Sequence, residues 1–128
     1  MTDPQSKRTA GTWLAFLAVS VLWIATVIGI SADRALCVHL ATSFAMVMPP
    51  FAYFLVFSIP TAFLAGLAMF AISGSLFVQY RAASTAQRLA THFACGLACV
   101  VLLLLYREAS HETLLTLLRD IGEAPQAG

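Results

Sequence analysis

Charged side chains fall in a few short clusters along the chain, and the stretches between them are apolar. After Asp3, Lys7 and Arg8, residues 9–32 carry no charge. After Asp33 and Arg34, residues 35–80 carry none. Arg81 and Arg88 bracket a short polar segment, and residues 89–106 form the last uncharged run before Arg107. A helix crossing a hydrocarbon core about 30 Å thick needs about 20 apolar residues. The first run predicts one such helix over Thr12–Ala32, with Trp13 at the level of an interfacial anchor. The last predicts another over Leu89–Tyr106, where Arg88 and Arg107 can reach out of the hydrocarbon at either end. Gly29 and Ser31 could flank a signal-peptide cleavage site, but the apolar stretch before them is longer than a signal peptide's hydrophobic segment, so an uncleaved first helix is expected.

The run over residues 35–80 is too long for one crossing. As a single helix it would measure about 70 Å, and tilt does not absorb such an excess. Its three prolines, Pro49, Pro50 and Pro60, mark two ways to divide it. A turn at Ser58–Thr61 gives two pieces, Ala35–Phe57 and Ala62–Tyr80, both near spanning length. A turn at Pro49–Pro50 gives a short piece and a long helix kinked at Pro60. Local chemistry suits the second division, because Pro50 fits the first turn of a helix and a mid-helix Pro-Pro would strip hydrogen bonds where no water replaces them. Length suits the first, because the second leaves apolar residues outside the membrane with nothing to cover them. The basic residues do not arbitrate: three crossings and four each set four against three. The expectation is an all-α integral membrane protein of three to four hydrophobic helices, with four preferred.

Composition agrees. The chain of 128 residues is 60% hydrophobic and 10% charged, more apolar surface than a soluble protein of this length can bury. One unit, residues 1–128, is expected, with disordered tails over 1–9 and 123–128. Seven basic and six acidic residues leave no basic field for nucleic acid. The partners implied are the lipid bilayer and either other membrane subunits or a second copy of the chain. Small size and the absence of a targeting signal suggest a bacterial inner membrane.

Two sets of small residues are spaced for close helix approach in lipid: Ala62 with Gly66, and Ala90, Ala94 and Ala98. From Ser110, which can cap a helix, Leu114, Leu115, Leu118 and Ile121 form one apolar face. A short amphipathic helix is therefore expected over residues 110–122, ended by Gly122, lying on the bilayer or docking a partner.

Chemistry is sparse. Ionisable residues inside a membrane are the first place to look for function, and His39 and His92 qualify. With four crossings both would stand near one face, beside Cys37 and Cys95. Cys37, His39, His92 and Cys95 would then form a candidate metal site, or His39 and His92 a haem pair. With three crossings the histidines lie on opposite sides. The commoner role of such histidines is an interhelical hydrogen bond, so no cofactor is the leading expectation. No Asp or Glu lies within the apolar runs to pair as acid and base, and a non-enzyme is expected.

The function expected is that of a small accessory or structural subunit of a larger membrane complex. Two layouts compete with it. One is a self-assembling membrane protein, holin-like or pilin-like, the latter with the first run as a leader and a basic loop over Arg81–Arg88. The other is a haem- or metal-bearing anchor of a redox complex.

Overall fold

The computed structural model describes residues 4–81 and 84–123. Its elements in chain order are α1 (Pro4–Ser43), α2 (Pro50–Tyr53), a π-helical turn (Phe54–Ser58), α3 (Thr61–Arg81) and α4 (Thr85–Glu123). Of these, α1, α3 and α4 are long and apolar enough to cross a membrane. α3 has 21 residues, about one crossing; α1 has 40 and α4 has 39, each about twice that length.

A fourth long helix does not form. Ala35–Ser43 continues α1, Phe44–Pro49 is non-helical, and the chain re-enters helix at Pro50. α1 ends where Ala45 takes a positive φ of 48° and the Met46 amide reaches back to the Ala41 carbonyl at 3.2 Å, the left-handed cap that terminates many helices. Pro50 then starts α2 where a proline's missing N–H costs nothing. The protein covers part of this excess itself, while Phe44, Val47, Tyr53, Phe54 and Phe57 stay exposed. Cys37, Met48, Ala52, Leu55 and Val56 are buried in one cluster with Tyr106 and Ala109 of α4, and Val38 and Ala41 pack against it.

Pro60 sets the second irregularity. It has no N–H to give the Val56 carbonyl in an α-turn or the Leu55 carbonyl in a π-turn, and it pushes the residue before it out of the helical region. Ile59 is accordingly extended, at φ −104° and ψ 108°. The two carbonyls it leaves are taken by side chains. The Arg34 guanidinium donates to Val56 O at 2.6 Å, and the Tyr106 hydroxyl donates to Leu55 O at 3.0 Å.

Side-chain pairs fix the topology. Thr12 stands level with His92, Thr26 with Cys99, Asp33 with Arg107 and Cys37 with Thr113, so α1 and α4 run parallel. α3 runs against both: Gln79 meets Thr12, Ser75 meets Cys95, and Leu64 lies in the cluster of Ile30 and Tyr106. Near mid-height Trp23, Ala68 and Cys99 form a second cluster, which Leu102 joins to the first. The start of α4 is capped by Ser84, whose hydroxyl accepts from the Gln87 amide at 3.2 Å.

Two further expectations change. Residues 110–122 are not a separate helix but the end of α4, so Ser110 caps nothing. Residues 4–9, expected to be disordered, begin α1, while 1–3 and 124–128 lie outside the described residues.

Candidate functional site

The most organised polar group in the protein is a buried chain joining all three long helices. Gln79 Nε2 donates to Thr12 Oγ1 at 2.9 Å, and Gln79 Oε1 lies 3.1 Å from His92 Nε2. Thr12, Gln79 and His92 are 0%, 3% and 1% exposed. The directions of these bonds follow from one proton. Thr12 gives its hydroxyl hydrogen to the Thr9 carbonyl at 2.8 Å, so it can only accept from Gln79. The Gln79 amide nitrogen therefore faces Thr12 and its oxygen faces His92, which must carry its proton on Nε2. His92 Nδ1 remains buried without a partner. The Phe16 ring, 6.0 Å away between centroids, packs against the imidazole, and Trp13 and Tyr80 meet edge to face at 5.6 Å nearby.

Two of these bonds, Thr12–Gln79 and Gln79–His92, each join two helices, as polar side chains between membrane helices do. Sequence reasoning found His92 but not its partners. Thr12 lies four residues inside Arg8, His92 four inside Arg88 and Gln79 two inside Arg81, a signal that joins the three polar groups at one end only when three crossings are assumed in place of the preferred four.

The structure separates the proposed metal ligands. His39 is exposed near the far end of α1. His92 stands level with Thr12, and the 27 residues from Thr12 to His39 span about 40 Å of helix. No single iron or other metal ion reaches both. Cys37 is buried beside Ser110 and Thr113, at 3.7 and 4.0 Å. Cys95 accepts a hydrogen bond from Ser75 at 3.4 Å. Among the described residues no three His, Cys, Asp or Glu side chains gather as a metal site. The third cysteine, Cys99, is 3.1 Å from Thr26 Oγ1. All three thiols thus sit in helix–helix contacts.

The small-residue sets face outward. Ala62, Gly66, Ala90, Ala94 and Ala98 are all exposed, and α4 instead turns His92, Cys99, Tyr106, Ala109, Thr113 and Leu117 inward. The leucine face of the α4 end is likewise outward: Leu114, Leu115, Leu118 and Ile121 are exposed, while Thr113 and Leu117 on the adjoining side are buried. The outer surface carries an apolar groove of about 670 Å³ between α3 and α4, which Ala94 and Ala98 line. At its floor the buried Trp23 indole N–H has no partner. Arg34 and Tyr106 were not singled out for their roles by sequence, because each bonds a carbonyl brought to it only by the fold.

No protein-family model matches the chain, and no curated protein or solved structure shows significant similarity to it.

Proposed function

We propose that the protein is a small multi-pass membrane protein that crosses the bilayer three times and serves as an accessory or structural subunit of a larger membrane complex. The bacterial inner membrane suits its size and simplicity. The observation that carries this reading is the apolar face of Leu114, Leu115, Leu118 and Ile121 on a part of α4 that extends past the spanning length. About 20 residues cross the hydrocarbon, so a helix entering near Arg88 leaves it near Arg107. The remaining turns stand in water. Because they continue α4, they cannot lie flat on the bilayer while α4 spans it upright. An outward apolar stripe in that position, rimmed by Glu112, Arg119 and Asp120, suits a protein partner. The outward Ala94 and Ala98, beside the unpaired Trp23 N–H, suit a second contact within the membrane.

A photoreactive residue at Leu118 tests this, with one at Phe77, on the exposed face of α3, as control. Crosslinks from position 118 to a different membrane protein, specific to that position, are expected in intact membranes. A crosslink to a second copy would replace the accessory role with self-assembly. No protein crosslink from position 118 would remove the docking role altogether.

A further inference from the structure

Two cavities at the start of α4 lie end to end between α1 and α4. The first, about 360 Å³, is polar and is lined by Gln5, Arg8, Thr9, Thr85 and Arg88. The second, about 530 Å³, is almost wholly apolar and is lined by residues that include Ala15, Leu22, Leu89, Gly96 and Val100, with His92 on its wall. Their linings follow common lines along the helices. On α1, Arg8, Ala15 and Leu22 recur every two turns; on α4, Thr85, Leu89, His92, Gly96 and Val100 recur every three or four residues. Gly96 lines the second cavity opposite Val19, whose side chain a Cβ there would meet at 3.7 Å, so a larger side chain at 96 would occupy it.

We propose that this groove is a binding site for an anionic phospholipid, with the phosphate between Arg8 and Arg88 and one acyl chain along the apolar part. The proposal rests on the reading of α1 and α4 as membrane helices, and not on a protein partner. Three features select this occupant. Two guanidinium groups complement a phosphodiester, and the Thr85 hydroxyl adds a neutral donor on the cavity wall. The polar pocket lies at the charged helix ends, beside Trp13 and Tyr80, where a headgroup would stand. From Arg88 to Val100 the groove runs about 18 Å, close to the half-thickness of a hydrocarbon core about 30 Å thick. A soluble phosphate would use only the polar end. His92, one helical turn below Arg88, puts its partnerless Nδ1 at the depth of the glycerol ester groups.

The test is lipid retention by the full chain, purified in mild detergent, exposed to phosphatidylglycerol or phosphatidylcholine and read by native mass spectrometry. Preferential retention of phosphatidylglycerol is expected. An arginine beside an anionic lipid surface contributes about fivefold in affinity, so Arg8→Gln should lower retention by about that factor. Arg81→Gln, which removes the same charge at the same end but outside the cleft, should leave it unchanged. Gly96→Leu should lower retention with both arginines intact. Equal retention of the two lipids, or equal losses in Arg8→Gln and Arg81→Gln, would overturn the proposal. Displacement of the lipid by millimolar inorganic phosphate would also overturn it, in favour of a soluble-phosphate site. Arg8 is exposed on the first turns of α1, so its variant keeps the fold if Gly96→Leu does not. A chain that fractionates as soluble would instead defeat the membrane reading itself.

Discussion

Single side chains hold the helices of this protein together through polar contacts more than through size. Gln79 is the clearest case, because it is the only one of its chain that touches both neighbours. Gln79→Leu leaves Thr12 and His92 buried with a lost partner each. Interhelical hydrogen bonds in membranes are worth roughly 0.6 kcal/mol on average, and stranding a buried group adds to that loss. Gln79→Leu is expected to destabilise by about 1–2 kcal/mol, measured by reversible unfolding in mixed micelles. Combining it with His92→Leu should cost less than the sum of the two, since both remove one bond. His39→Ala, on an exposed position, should stay within about 0.5 kcal/mol of the parent. Additive losses for Gln79 and His92 would mean that the bond contributes nothing. At this scale the sequence was informative about which residues are unusual and silent about whom they meet. His92 stands out in an apolar run, whereas Gln79, two residues from Arg81, reads as an ordinary interfacial residue until α3 is seen to run against α1.

The helix elements were legible where charge brackets them and ambiguous where only prolines do. α1 and α4 each contain the span that hydropathy marks, but both overrun it, because Ala35–Ser43 and the turns after Arg107 cover one another with help from α2. Sequence periodicity could not show that mutual cover. The prolines carried part of the local information: Pro50 starts a helix, but Pro60 breaks the chain between two helical elements, with Ile59 extended, rather than kinking one long helix. The cap after α1 is imperfect by the same local rules, since Ala45 holds a left-handed conformation that costs an L-residue with a Cβ about 1–2 kcal/mol. Ala45→Gly should therefore stabilise the protein by about 1 kcal/mol, and an unchanged or lower unfolding midpoint would show that this turn is not formed. The bend at Pro60 makes a sharper prediction. Tyr106→Phe strands the Leu55 carbonyl and should cost about 1–3 kcal/mol. In a Pro60→Ala background residue 60 regains an N–H that can reach that carbonyl, so the same substitution should cost distinctly less. Equal costs in the two backgrounds would separate Tyr106 from the proline bend.

At the scale of the whole molecule, the parallel course of α1 and α4 decides how charge is distributed. Lys7, Arg8, Arg81 and Arg88 lie at one end with no acidic residue near them among those described; Arg34, Arg107 and Arg119 lie at the other, mixed with Asp33, Glu108, Glu112, Asp120 and Glu123. Among the described residues one end is thus basic and short, and the other is mixed and carries the projecting helix ends with their leucine face. Such an asymmetry suits a bilayer crossed an odd number of times, with lipid held at the basic end and a protein partner at the other. On the proposed three crossings, the two termini would stand on opposite sides of the membrane. Compartment-sensitive reporters fused in turn to the N-terminus and the C-terminus should give opposite signals, and Leu118→Glu should leave both unchanged while abolishing any crosslinked partner. Reporters on the same side would require a further crossing, which only residues 35–60 are apolar enough to supply. In that event Ala35–Ser43 would have to leave α1, breaking the buried cluster of Cys37 with Met48, Ala52 and Ala109. A cysteine at position 113, facing the native Cys37, gives an independent reading of the same geometry. Cys37 Sγ lies 4.0 Å from Thr113 Oγ1, so Thr113→Cys should crosslink to Cys37 under mild oxidation if α1 runs unbroken beside α4, and should stay reduced if Ala35–Ser43 begins a separate span.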